Sequence, residues 1–328
     1  MGERGWGPPS ALAYRTSMMR TASPLVAAVL VTLCLVPRAV AQEGPVFTAE
    51  SSLVVLHVTV KDKQNHYVGG LSKDAFEVFE DNRPQEVALF TAEDAPVTVG
   101  LLIDNSGSMY SNRELVLAAA TAFVERSNRS DEVFGLTFNE NVRAALPRDT
   151  PFTSDAQILR GALADTVVAR GRTALYDAIA DGIEYLGAGQ YERKVLVVVS
   201  DGGDNASETT FEEIMNKVRA SNVVIHAVGL VDPVESDSNP KRLRQLAEAS
   251  GGLLFRPGNA REVREAIERV ALDIRSAYTI GYSPSGAPGG GFRRIRAGVR
   301  TPDGKSVVVR TRAGYMASPR RTERQHGE

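Results

Sequence analysis

Two hydrophobic rhythms divide this chain. Residues 52–60, Ser-Leu-Val-Val-Leu-His-Val-Thr-Val, are rich in β-branched side chains, and residues 76–80, Phe-Glu-Val-Phe-Glu, alternate apolar and polar positions. With Asp81-Asn-Arg-Pro84 as a hairpin-type turn and a further run at 86–91, this pattern predicts a small β module over 47–95. From residue 97 the rhythm changes. Val97-Thr-Val-Gly-Leu-Leu-Ile103 is continuously apolar, as a strand covered on both faces must be. Further strands are expected at 132–138, 194–200 and 223–230, with a weaker antiparallel edge strand at 141–146. Helical periodicity is expected at 112–127, 155–166, 174–187, 210–220, 239–249 and 260–275. Strand and helix alternating in this way over 97–275 predict an α/β fold: a doubly wound, mostly parallel sheet with helices on both sides. Residues 276–316 return to strand patterns at 278–283, 293–301 and 307–311, and are expected to join the N-terminal strands in one flanking β module. Residues 317–328 read as a flexible polar tail.

The first 41 residues stand apart from this scheme. Arg15 and Arg20 precede an apolar run at 25–36, and Ala39-Val-Ala41 offers small residues at a cleavage position. This is the pattern of a signal peptide cut after Ala41, with Met18 or Met19 as alternative starts. The run is short for a bilayer span, so an N-terminal membrane anchor is the alternative. The expected location is extracytoplasmic, periplasmic or secreted, with no stable membrane span after cleavage.

The whole chain carries 38 basic and 40 acidic residues, a net charge of −2. Removing four arginines and one glutamate with the leader takes this to −5, so nothing in the charge points to nucleic acid. One cysteine and four histidines leave little for a disulfide or a His-rich zinc site.

Ligands of open parallel sheets bind beyond the carboxyl ends of the strands, near the switch in strand order. Three predicted loops meet at that rim. Asp104-Asn-Ser-Gly-Ser108 follows the first strand, Gly171-Arg-Thr-Ala174 opens a helix, and Ser200-Asp-Gly-Gly203 follows the strand at 194–200. Hydroxyls and carboxylates suit a hard divalent cation, Mg²⁺ or else Mn²⁺ or Ca²⁺. The candidate ligands are Asp104, Ser106, Ser108, Thr173 and Asp201.

These segments resemble the von Willebrand factor A-type (VWA) domain, whose metal-ion-dependent adhesion site has Asp-x-Ser-x-Ser, a Thr and an Asp in this order. All five positions are filled here, and the resemblance covers about 97–275. It implies a Rossmann-like fold and metal-dependent binding of a protein ligand whose Asp or Glu carboxylate completes the metal shell. It implies no catalysis. The flanks are similar to the VWFA-related secreted proteins of acidobacteria: Val58–Asp62, Leu71–Asp81 and the closing Tyr278–Tyr282 match their stretches, although Ala75 stands where an Asp is usual.

Other readings of the same residues are weaker. A hydrolase built on Ser106, Asp201 and His226 would lack the Gly-x-Ser-x-Gly elbow, since Asp104 stands at its first glycine. His226 lies mid-strand, as a core histidine would, and His57 reads as a sheet residue. A P-loop is absent, and phosphoryl transfer from Asp104 would need an acid where Ser106 stands. A scaffold with a purely structural metal remains as an alternative function. Asp177 and Asp204 are expected near the rim without binding metal, and Arg293-Arg294 as exposed charge.

Overall fold

Unbroken apolar runs make the buried sheet, and alternating runs make the half-exposed ones. The computed structural model describes residues 53–317 apart from 93, 127, 165–168, 231–237, 286–289 and 302–303. Residues 1–41, read as a signal peptide, and residues 318–328 of the tail lie outside the described residues. Ala317, read as the start of the tail, instead ends a strand.

The N-terminal strands are β1 (Val54–Lys61), β2 (Phe76–Glu80), β3 (Arg83–Gln85) and β4 (Val87–Thr91). Then follow β5 (Thr98–Asp104), α1 (Arg113–Arg126), β6 (Glu132–Phe138), β7 (Val142–Ala144), α2 (Ala156–Ala164), α3 (Leu175–Gly187) and β8 (Lys194–Ser200). The second half holds α4 (Phe211–Ala220), β9 (Val224–Gly229), α5 (Pro240–Ser250), β10 (Leu254–Phe255) and α6 (Ala260–Arg275). The chain closes with β11 (Tyr278–Tyr282), β12 (Gly291–Val299), β13 (Val308–Arg310) and β14 (Gly314–Ala317).

The central sheet has the order β10-β9-β8-β5-β6-β7, parallel except for β7, which is antiparallel to β6. Every residue of β5 is buried. Val99, Leu101 and Ile103 face one core with Val116, Phe123, Ile267 and Val270 of α1 and α6. Leu102 faces the other core, with Leu175 and Ile179 of α3 and Ile214 of α4. Two-sided burial is why the β5 sequence shows no alternation. Gly100 leaves the space filled by Phe134, since a Cβ there would lie 2.4 Å from the Phe134 ring.

Two antiparallel sheets complete the fold, ordered β13-β1-β11-β4 and β14-β12-β2-β3. Their shared core contains Leu56, Val58, Phe76, Val78, Tyr278, Ile280 and Tyr282. The tyrosine hydroxyls are satisfied: Tyr278 donates to Val68 O at 3.0 Å and Tyr282 to Glu80 Oε2 at 2.8 Å. Asp81 and Asn82, both at positive φ, make the two-residue turn between β2 and β3. Arg293, read as exposed charge, is instead paired with Asp81 at 3.2 Å.

Three arginines, of which Arg193 and Arg312 are buried and Arg310 half-buried, join the central domain to these sheets. Arg310 pairs with Asp273 of α6 and donates to Thr59 Oγ1 at 2.7 Å. Arg312 donates to Val55 O at 2.9 Å and Ser221 O at 2.7 Å. Arg193 donates to Thr279 Oγ1 at 3.2 Å and to Ile274 O at 3.1 Å, one of the end carbonyls of α6. The described residues fall within one compact unit. No helix among the described residues is long and apolar enough to cross a membrane.

Two histidines in this interior make stability depend on acid. Burial, reinforced by Arg193 and Arg312, lowers His57 to about 3. Burial lowers His226 to about 4, with Asp273 opposing it and Arg310 adding to it. Both rings are therefore neutral when folded, whereas the unfolded chain takes up protons below the ordinary value of 6.5. Their contribution is present above about pH 6.5 and is lost as pH falls toward the folded values. Thermal melts of His226→Gln at pH 7 and pH 4.5 are expected to show a smaller acid-induced drop than wild type. An equal drop would show that His226 does not carry the effect.

Candidate metal centre

The site is built where β5 and its neighbour β8 end. Reversal of the chain's progress on either side of β5, toward β6 and toward β8, opens a crevice at these carboxyl ends. Asp104, the last residue of β5, has no solvent exposure. Its Oδ1 accepts the Ser106 amide at 3.0 Å and the Ser106 hydroxyl at 2.5 Å, while its Oδ2 accepts the Ser200 hydroxyl at 2.6 Å. Ser106 Oγ lies 3.1 Å from Ser108 Oγ. Ser106 is buried and Ser108 half-buried, so the pair leads from the interior to the surface.

Asp201 follows directly on β8 and is buried, with Oδ1 accepting the Gly203 amide at 2.8 Å. Gly202 between them has φ +85°, and a Cβ there would stand 2.6 Å from the backbone oxygen of Asn239. Gly202→Ala is therefore expected to cost about 1–3 kcal/mol from backbone strain, before adding the clash. A urea midpoint indistinguishable from wild type would contradict that.

Thr173 arrives on a separate loop. That loop is stitched to the first by Gly107 N to Gly171 O at 3.0 Å and by Arg170 N to Asn105 O at 2.9 Å. Thr173 itself is fixed to the loop after Asp201: its amide donates to Asn205 Oδ1 at 2.9 Å, and its carbonyl accepts the amides of Asn205 and Ala206. Direct hydrogen bonds thus bring Asp104, Ser106 and Ser108 together. Asp201 lies close enough for its charge to raise the Asp104 carboxyl, and Thr173 is tied in through its loop. Asp177 and Asp204 brace the same loop: Asp177 accepts the amides of Glu208 and Thr209, and Asp204 accepts the Tyr176 amide and the Ser207 hydroxyl.

Ser200 and Asn205 escaped the sequence reading. Ser200 was readable as the neighbour of Asp201 at a strand end. Asn205 had no local signal, because its task is to hold a loop from another part of the chain.

The electrostatics favour a cation. Burial pushes the Asp104 carboxyl up to about 7; the hydroxyls of Ser106 and Ser200 and the Ser106 amide oppose the rise, and the charge of Asp201 adds to it. Among the described residues no basic side chain is ion-paired with Asp104 or Asp201. Two buried carboxylates beside three hydroxyls make an all-oxygen donor set, which fits a hard divalent ion. No cluster of three or more His, Cys, Asp or Glu that could hold a metal occurs among the described residues, so any metal here must rest on the hydroxyls as well.

No curated protein matches the chain in sequence. Among solved structures, a von Willebrand factor type A protein from Catenulispora acidiphila is similar at 14% identity and a TM-score of 0.48, over 82% of this chain and 75% of that one. The vWF domain of the type V pili tip protein Mfa5 from Porphyromonas gingivalis is similar at 12% identity and a TM-score of 0.45, over 56% and 96%. An aerotolerance-related membrane protein from Bacteroides fragilis is similar at 19% identity and a TM-score of 0.45, over 54% and 98%. The family profile of the von Willebrand factor type A domain matches residues 99–269, which contain the whole candidate centre and more than half of the chain. The chain belongs to the von Willebrand factor type A domain family.

Proposed function

We propose that this chain is an exported binding module, not an enzyme, that holds a divalent cation and recognises a protein partner through it. Asp104, Ser106, Ser108, Thr173 and Asp201 would hold the ion, with Mg²⁺ preferred and Mn²⁺ or Ca²⁺ as alternatives. When bound, the cation supplies an electrophilic centre that accepts a carboxylate oxygen from the partner. Asp104 orients the Ser106 hydroxyl, Ser200 locks the far carboxylate oxygen, and the Asp177 and Asp204 braces hold the Asp201 loop against α3. The observation that carries this reading is the buried Asp104 carboxylate, hydrogen-bonded to two serine hydroxyls and lacking an ion-pair partner among the described residues. Its leader pattern and flanking stretches, similar to those of secreted acidobacterial proteins, support export.

Catalysis by Ser106 finds no support in its contacts, because its hydroxyl donates to Asp104. His226 lies instead beside Asp273, with Nε2 at 3.5 Å from Oδ2. Calorimetric titration of the purified chain with Mg²⁺ tests the metal: one saturable site is expected, lost in Ser106→Ala. Absence of that site in wild type would end the proposal.

Recognition would also use the rim. Tyr110, two residues beyond Ser108, is 75% exposed. Partner capture by Tyr110→Ala is expected to weaken by about 1–2 kcal/mol, as for a partly buried aromatic contact, with Mg²⁺ affinity unchanged. Equal capture would place the contact elsewhere.

A further inference from the structure

We infer that the outer face of the β14-β12-β2-β3 sheet is a second binding surface, for an extended acidic segment of a protein partner. Phe292, Arg294 and Arg296 of β12 lie two residues apart on one face, opposite the buried Ile295. Phe79 of β2 is the cross-strand neighbour of Arg296 and points the same way, opposite the buried Val78. Together with Asn82 and Ala313 these residues line an open groove of about 500 Å³.

The aromatic rings hold the guanidinium groups in place. Arg296 lies over the Phe79 ring, 4.2 Å from its centroid. Arg219 of α4 lies over the Phe292 ring at 5.3 Å. A stacked guanidinium keeps its planar fork of donors and loses less freedom on binding an anion than a loose side chain does. Among the described residues Arg294 and Arg296 have no ion-pair partner. Asp81, the acidic residue lining the groove, is already engaged by the Arg294 amide at 3.0 Å and by the Arg293 guanidinium. The groove therefore presents unmatched positive charge.

Its occupant follows from this arrangement. Arg294 and Arg296 are spaced by two strand residues, about 7 Å. An extended peptide with acidic residues at alternate positions repeats that distance. Nucleic acid is disfavoured, because the ring faces that would stack on bases are covered by arginines of the chain itself. A bilayer is disfavoured because the charge lines a recess. The metal centre plays no part here, so this binding is expected to persist in EDTA.

Fluorescence anisotropy of the full chain with a labelled (Glu-Ala)₅ peptide tests the inference, with (Lys-Ala)₅ and vesicles containing phosphatidylglycerol as comparisons. Saturable, salt-sensitive binding of the acidic peptide alone is expected in EDTA, and equally in Asp104→Asn, where the metal centre cannot contribute. Arg294→Glu with Arg296→Glu should weaken it at least about tenfold, as expected for charge reversal. Arg296→Lys, which keeps the charge and loses the fork, should weaken it by a smaller factor, and the arginine variants should melt as wild type does. Failure of wild type to bind the acidic peptide, undiminished binding by the double reversal, or binding to vesicles instead would each overturn the inference.

Discussion

Asp104→Asn is expected to erase the rise in melting temperature that Mg²⁺ gives the wild-type chain, without lowering stability in the absence of metal. The substitution keeps the size of the side chain and an oxygen to accept from Ser106. It removes the charge that a cation needs. It also removes a carboxylate that burial penalises, which is why the metal-free chain should be no less stable. A ligand at a hundred times its Kd stabilises by about 2.7 kcal/mol. For a domain of this size that is a shift of roughly 5–10 °C. Differential scanning calorimetry in Mg²⁺ and in EDTA reads both halves of the expectation. An Asn variant that keeps the Mg²⁺ shift would remove Asp104 from the centre.

The second large effect is expected far from the metal. Arg193→Met should destabilise the chain by about 1–3 kcal/mol, the range for leaving buried hydrogen-bond partners unsatisfied. Met fills similar volume but donates nothing. The carbonyl of Ile274 and the hydroxyl of Thr279 would lose a donor in the interior, and the carbonyl of Ala277 would lose its contact as well. These acceptors lie at the end of α6 and the start of β11, so the loss falls where the central domain meets the antiparallel sheets. Urea unfolding followed by far-UV circular dichroism measures it. A change under about 1 kcal/mol, ordinary for a surface substitution, would show that the junction does not depend on Arg193.

Arg193 also marks what a sequence reading misses. An arginine between Glu192 and Lys194 reads as surface charge, and nothing local says that its side chain turns inward to collect carbonyls from a distant helix end. Arg310 and Arg312 are hidden in the same way, because their partners come from α6, β1 and the end of α4. The sheet strands of the central domain were legible because burial on both faces leaves an unbroken apolar run, as in β5 and β8. The starts of α5, α4 and α6 are fixed by caps: Asn239, Thr210 and Asn259 accept amides there. β10 and β3 left no signal in the sequence: β10 has two residues and β3 begins inside the segment read as a turn, whereas the equally short edge strand β7 falls within the expected 141–146.

At the candidate centre, Asp104, Ser106 and Ser108 were legible because one loop carries all three at fixed spacing. Thr173 and Asp201 could be placed only by joining three separated segments at the rim that the predicted sheet gives them. The amide ties that hold those segments together, from Gly107 to Gly171 and from Asn205 to Thr173, leave little mark on residue type.

The central claim is recognition through a metal, and capture from an envelope extract tests it most directly. Immobilised chain would be offered the extract in Mg²⁺, in EDTA, and as the Asp104→Ala variant in Mg²⁺, with retained proteins identified by mass spectrometry. A protein held by wild type in Mg²⁺ and released in both other conditions is the expected result. The same proteins retained in all three would contradict the account, leaving the metal structural and the contacts on the antiparallel sheets.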